Sequence, residues 1–289
     1  MIDQVTRENR NEAFSIRHSG HRLPVLVALL IFCGVTALQA ALMVPDPLIA
    51  LRFEEGSGNS TANLGSLGGN VPRPASTRWS DVVPAAYSSQ SWEAYIYSAS
   101  SQAAFTTPEM EQMSIAFWAD WKPLNGYLSL FATRTYGSGF SVMNYNYGAH
   151  GWDNDLVFHI ETAAGSEHRF TYTPGMSSTE WQHYVFTYDS SAGTALLYVD
   201  GELMQTWTGW TGTVGAGSRG FTMIDTSSAN PYLGYIDSIY VFDEVLTPTA
   251  VEYLMNTDKV PEPASLVLLV LGSAGLLCRR NRVKQGQTG

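Results

Sequence analysis

The chain has 289 residues, with 16 Lys and Arg against 26 Asp and Glu, for a net charge of −10. Residues 41–259 alone hold eight basic and twenty-two acidic residues, a net of −14, which excludes nucleic acid as a partner because phosphates need a basic surface. Cys33 and Cys278 are the two cysteines and both lie in apolar end segments, so residues 41–259 hold no disulfide, no thiol nucleophile and no cysteine metal site.

The first element is apolar. Leu23–Leu42 reads as the apolar core of an export signal ending in small residues, with cleavage expected after Ala40. Leu38, three positions before that cut, departs from the small-x-small pattern, and an uncleaved amino-terminal anchor is the alternative. Residues 41–259 then form one domain, rich in strand patterns from end to end. "LIALRF" and "EAYIYS" are short strands, separated by the Gly/Ser/Asn stretch "EEGSGNSTANLGSLGGN", read as a flexible or calcium-binding loop. "MSIAFWADW" alternates, with Met113, Ile115, Phe117, Ala119 and Trp121 on one face. "YLSLFATR", "GFSVMNY", "DLVFHIET" and "HRFTYTP" follow. "WQHYVFTYD" sets Tyr184, Phe186 and Tyr188 on one face, and "TALLYVDGELMQTW" folds back at Asp200-Gly201, a dipeptide that tolerates the positive φ of a tight hairpin. "RGFTMID" and "GYIDSIYVFD" complete the strands. "LTPTAVEYLMN" is the expected helix, with Thr247 as its cap and Pro248 in its first turn. Short strands with turn signals about every ten residues define an antiparallel sandwich or barrel.

The tail, residues 260–289, carries Pro261, Glu262 and Pro263, then a 15-residue apolar run from Ala264 to Cys278, then a basic cluster with Arg279 and Arg280. As a helix the run covers about 22 Å, short of the roughly 30 Å hydrocarbon core. The basic cluster places the end of the tail in the cytoplasm and the domain outside.

Several residues suit binding. Asn144, Tyr145, Tyr147, His150, Trp152 and Asp153 fall between Asn144 and Asp155, and Trp207 and Trp210 lie in "TWTGWTG". Aromatic faces stack on sugar C–H surfaces while amides and carboxylates bond hydroxyls. The alternative is that these aromatics close the sandwich edge. Asp237 falls on the face of Ile239 and Val241, expected to be inward, where a carboxylate needs hydrogen bonds or a metal. No Gly-x-Ser-x-Gly elbow and no His-x-x-x-His pair occurs. His183 reads as a packed structural residue.

Four stretches in order, "LRFEEGSG", "MSIAFWADWKP", "WQHYVFTYDSSAGTALLYVDGEL" and "GYIDSIYVFDEVLTPTAVEYL", resemble the LamG-like jelly-roll family of the concanavalin A-like lectin/glucanase superfamily. Trp181, His183, Tyr188, Asp189, Leu197 to Gly201, Gly234, Ile236, Asp237 and Leu246 to Pro248 carry the likeness. It implies an all-β, two-sheet antiparallel jelly-roll sandwich with one short helix, flanked here by amino- and carboxy-terminal apolar helices. It also implies pairing of Asp237 with the acidic residues after the first strand, Glu54 and Glu55, around a structural Ca²⁺ that takes oxygen ligands; hydrogen bonds from loop amides to Asp237 are the alternative. Glucanases of the superfamily carry Glu-x-Asp-x-x-Glu on one strand face, which this sequence lacks, so no catalytic residue and no enzyme activity is expected. The tail resembles a PEP-CTERM sorting signal, the substrate of an exosortase-type membrane protease. The expectation is an exported carbohydrate- or matrix-binding protein, tethered transiently in the inner membrane and then displayed at the surface or in an extracellular polysaccharide matrix. A structural matrix protein without a ligand, and a hydrolase with an atypical site, are the alternatives.

Overall fold

A computed structural model of the chain describes residues 44–73, 77–84, 91–94, 101–122, 126–134, 137–147, 152–173, 180–225 and 233–257. The alternating segments are strands: β1 Ile49–Leu51, β5 Ser91–Ala94, β7 Gln112–Lys122, β8 Gly126–Ala132, β9 Gly139–Tyr147, β10 Trp152–Glu161, β11 Glu167–Tyr172 and β12 Gln182–Asp189. After these come β13 Thr194–Val199, β14 Glu202–Thr208, β15 Thr222–Asp225 and β16 Leu233–Phe242. Four short strands were not legible as alternation: β2 Ser60–Ala62, β3 Asn70–Pro72, β4 Thr77–Ser80 and β6 Ser101–Gln102. The expected terminal apolar helices fall outside the described residues.

Two antiparallel sheets face each other. One runs β14-β13-β12-β7-β16-β5-β4, with β1 also paired to β16, and the other runs β11-β10-β9-β8-β15-β6. The core between them is aromatic. Phe158 of β10 stacks on Phe186 of β12 with centroids 4.4 Å apart, and Phe117 of β7 meets Phe131 of β8 edge-on at 5.3 Å. Each such pair joins the two sheets in a geometry favoured by the ring quadrupoles.

The β13–β14 hairpin turns at Asp200 and Gly201, with φ of 50° and 81°, the primed turn that matches strand twist. Helix α1, Pro248–Thr257, starts at the expected cap, where the Ala250 N–H donates to Thr247 Oγ1 at 3.2 Å. Its buried Ala250, Val251 and Leu254 join Ala116, Val185, Tyr198, Tyr240 and Val44 in a second cluster. That cluster covers part of the outer face of the larger sheet.

One expectation about facing is corrected. β16 is bulged: Asp237 pairs with Trp118 and Tyr240 with Ala116, so Ser238 and Ile239 stand against one residue of β7. Ser238 takes φ 52° at the bulge. The extra residue moves Asp237 out of the phase of Ile239 and Val241, onto the outer face that Trp118 shares with Ala116. Strand alternation holds only where no bulge intervenes.

Candidate functional site

The segment expected to bind is the far end of the β9–β10 hairpin on the six-stranded sheet. Register places Tyr145 between Asp155 of β10 and Tyr127 of β8, and Tyr147 opposite Trp152. A register shift between Trp152 and Asp155 puts Asp153 in the irregular part of β10. Pairing along β9 thus brings Tyr145, Tyr147, Trp152 and Asp155 to one end of the sheet. Asn144 pairs with Leu156 and Leu128 and is buried, so it belongs to the sheet's packed body. His150 lies outside the described residues.

Trp207 and Trp210 are placed differently from a binding loop. Trp207 lies within β14, 5.5 Å from the Phe170 ring and 6.3 Å from Phe186. Trp210 packs edge-on against Phe170 at 5.4 Å and His168 at 4.9 Å. Both rings rest on the core cluster and close the sandwich where β11 and β14 end the two sheets. This is the edge-closing alternative, and its cause is the row of rings along that edge, Phe170 and Phe186, which the two indoles help to bury.

The three carboxylates assigned to calcium do not share one point. Both Glu55 oxygens accept from Thr61 Oγ1 at 3.0 Å, and Glu55 Oε1 also accepts the Ala62 N–H at 2.8 Å. Glu55 therefore fastens the loop after β1 to β2. Asp237 is fully buried, and Ser238 Oγ donates to its Oδ1 at 3.2 Å. Among the described residues no three His, Cys, Asp or Glu side chains are placed to hold a metal ion. Asn63 adds a second fastening: its Oδ1 accepts from Ala50 N–H at 2.8 Å and Gly65 N–H at 3.0 Å.

Strand register assembles two further groups of polar side chains. On the outer face of the six-stranded sheet, Arg134 Nη2 lies 2.7 Å from Glu161 Oε2 and 3.5 Å from Glu167 Oε1, and Arg169 Nη2 lies 3.2 Å from Glu167 Oε2. Arg134 Nη1 also sits 2.5 Å and 2.9 Å from the two ring nitrogens of His159. Burial, then the Arg134 charge, lower the His159 pKa from 6.5 to about 4, so the ring is neutral at pH 7. Burial opposes ionisation of Glu167, but His159, Arg169 and Arg134 outweigh it and its pKa is lowered. Alternation along β10 puts His159 and Glu161 on one face; the partners on β11 and after β8 needed the register.

On the outer face of the larger sheet, His183, Trp118 and Asp237 form a row across β12, β7 and β16. The His183 and Trp118 rings lie 5.0 Å apart, and Trp181 and Tyr235 lie 6.0 Å apart alongside. Burial holds the His183 pKa down to about 3, which gives this imidazole the packed, neutral role expected of it. The sorting residues Pro261, Glu262, Pro263, Arg279 and Arg280 lie outside the described residues.

A family model described as the concanavalin A-like lectin/glucanases superfamily matches residues 93–252, and one for the PEP-CTERM protein-sorting motif matches residues 259–282. No curated protein matches the chain. Among solved structures, the binding domain of Paraclostridial Mosquitocidal Protein 1 is similar, with TM-score 0.58 and 14% identity over 73% of this chain and 52% of that one. The binding domain of botulinum neurotoxin serotype G has TM-score 0.56 and 12% identity over 73% of this chain and 50% of that one. The ligand binding domain of botulinum neurotoxin serotype D, in complex with N-acetylneuraminic acid, has TM-score 0.56 and 11% identity over 75% and 52%. The chain spans about half the length of these structures, and at such identities the likeness is one of fold.

Proposed function

The chain belongs to the concanavalin A-like lectin/glucanases superfamily and ends in a PEP-CTERM protein-sorting motif, and from this we propose that it is an exported, surface-associated protein that binds carbohydrate or matrix polymer without catalysis. An exosortase-type protease processes it at residues 261–263, after which the domain is retained at the surface or in the polysaccharide matrix. The observation that carries the reading is the union in one chain of a lectin-type sandwich and a sorting motif directly behind it.

The binding end is the β9–β10 hairpin, where Tyr145, Tyr147 and Trp152 come together in register with Asp155. Binding is favoured over hydrolysis by the fate of two carboxylates on the same sheet, Glu161 and Glu167, which Arg134 engages. A glycosidase needs two carboxylates about 5 Å apart and available to substrate. The net charge of −14 over residues 41–259 disfavours anionic sugars, so neutral polymers are the expected class. A glycan array probed with residues 41–259 tests this. Binding to neutral glycans, weaker binding to sialylated ones and no release of reducing sugar are expected; an array blank in all classes removes the lectin reading.

A further inference from the structure

Among the described residues the exposed large apolar side chains are Leu64, Val82, Leu203 and Met204, and two of these are neighbours in β14. Leu203 is 53% exposed and Met204 45%. β14 is an edge strand, and its register slips against β13: Leu203 pairs with Tyr198 but Gln205 pairs with Leu197, leaving Met204 as the extra residue. The bulge turns two successive apolar residues to solvent at one corner of the molecule. Soluble surfaces tolerate such residues singly, and an adjacent pair needs a reason.

The corner's position supplies one. Leu203 lies beside Tyr198, which belongs to the cluster beneath α1. Gly201, two residues earlier, lies under the last turn of α1, where a Cβ on it would stand 3.3 Å from Met255 Cε. The exposed pair therefore flanks the end of α1 at Thr257. From Thr257 the chain has seven peptide steps to Ala264, where the apolar run begins, a reach of at most about 25 Å. On so short a lead the end of α1 stays within about 25 Å of the bilayer, and the corner of Leu203 and Met204 beside it is within reach of that surface.

We propose that the Leu203–Met204 corner rests in the bilayer interface while the tail is uncut. The proposal rests on the reading that residues 264–278 enter a membrane. Two apolar side chains are a weak anchor by themselves, but the tether raises their effective concentration at the surface, and cleavage removes that advantage. The contact is thus self-releasing. Asp200 and Glu202 flank the corner, so the contact is apolar and does not depend on anionic headgroups.

The test uses the full chain in vesicles of phosphatidylethanolamine and phosphatidylglycerol, with lipid-borne quenchers. Leu203→Cys, in a background of Cys33→Ser and Cys278→Ser, carries a polarity-sensitive fluorophore, with Ala192→Cys in the exposed β12–β13 turn as the control. A label on native Cys278, with only Cys33 replaced, reports tail insertion. With the tail inserted, quenching at position 203 is expected to exceed that at 192 several-fold, and a 20-residue Gly/Ser insertion after Thr257 is expected to reduce it. Equal quenching at 203 and 192 in inserted chains overturns the proposal. So does a blue shift at 203 that grows with protein concentration without quenching, because a second copy then covers the corner. An unquenched Cys278 label fails the membrane reading and takes the proposal with it.

Discussion

At the scale of single residues, two histidines and one glutamate decide how the domain meets its surroundings. His159 and His183 bind their proton less readily in the folded protein, at about 4 and about 3, than at the ordinary 6.5. Burial is the larger cause for His159 and the cause for His183. Their contribution to stability is complete above pH 6.5 and is lost as pH falls through that value toward 4. Urea midpoints measured from pH 7.5 to 4.0 are expected to fall across this window, and His159→Gln is expected to flatten the slope; a slope unchanged in the variant separates His159 from the effect. Glu55→Ala removes the acceptor of Thr61 and Ala62 and is expected to lower stability by about 1 kcal/mol, the usual net worth of such bonds near the surface. Because that fastening needs no ion, EDTA is expected to leave the melting midpoint unmoved. A drop of several degrees on chelation restores the calcium reading.

At the scale of elements, edge and turn residues separate what sequence periodicity reveals from what it hides. The Asp200-Gly201 hairpin and the Thr247 cap were legible because each needs only local chemistry: a positive φ in one case, a hydroxyl acceptor in the other. Thr247→Ala is expected to cost about 1 kcal/mol, read as a shift in denaturant midpoint. Alternation alone puts Asp237 on the inner face, because a bulge at Ser238 is a two-strand event and one strand's pattern carries no trace of it. Strands β2 and β3 were hidden in a Gly/Ser/Asn stretch because polar side chains such as Asn63 fasten their surroundings. Trp207 and Trp210 illustrate the same limit, since a Trp suits both a sugar and a core edge and only Phe170 and Phe186 beside them decide. Trp210→Ala is expected to destabilise by about 2–3 kcal/mol while leaving glycan binding at the β9–β10 end intact. Loss of binding with unchanged stability reverses that assignment.

At the scale of the whole molecule, sandwich and sorting motif were both legible, since Leu-Tyr-Val-Asp-Gly and Pro-Glu-Pro are contiguous stretches that can be read without knowing how any strands pair. The ligand was not legible, because recognition depends on which side chains the register gathers at the sheet's end. The order of strands has one more consequence. β16, the last strand among the described residues, occupies the middle of its sheet, hydrogen-bonded to β7, β5 and β1. A chain threaded across a membrane from its amino terminus cannot close that sheet until residue 242 has emerged, and by then only α1 separates it from the sorting motif at 259. Non-local pairing of this kind is slow. On the proposed route of export, the sandwich therefore shuts only after nearly all of its chain has crossed.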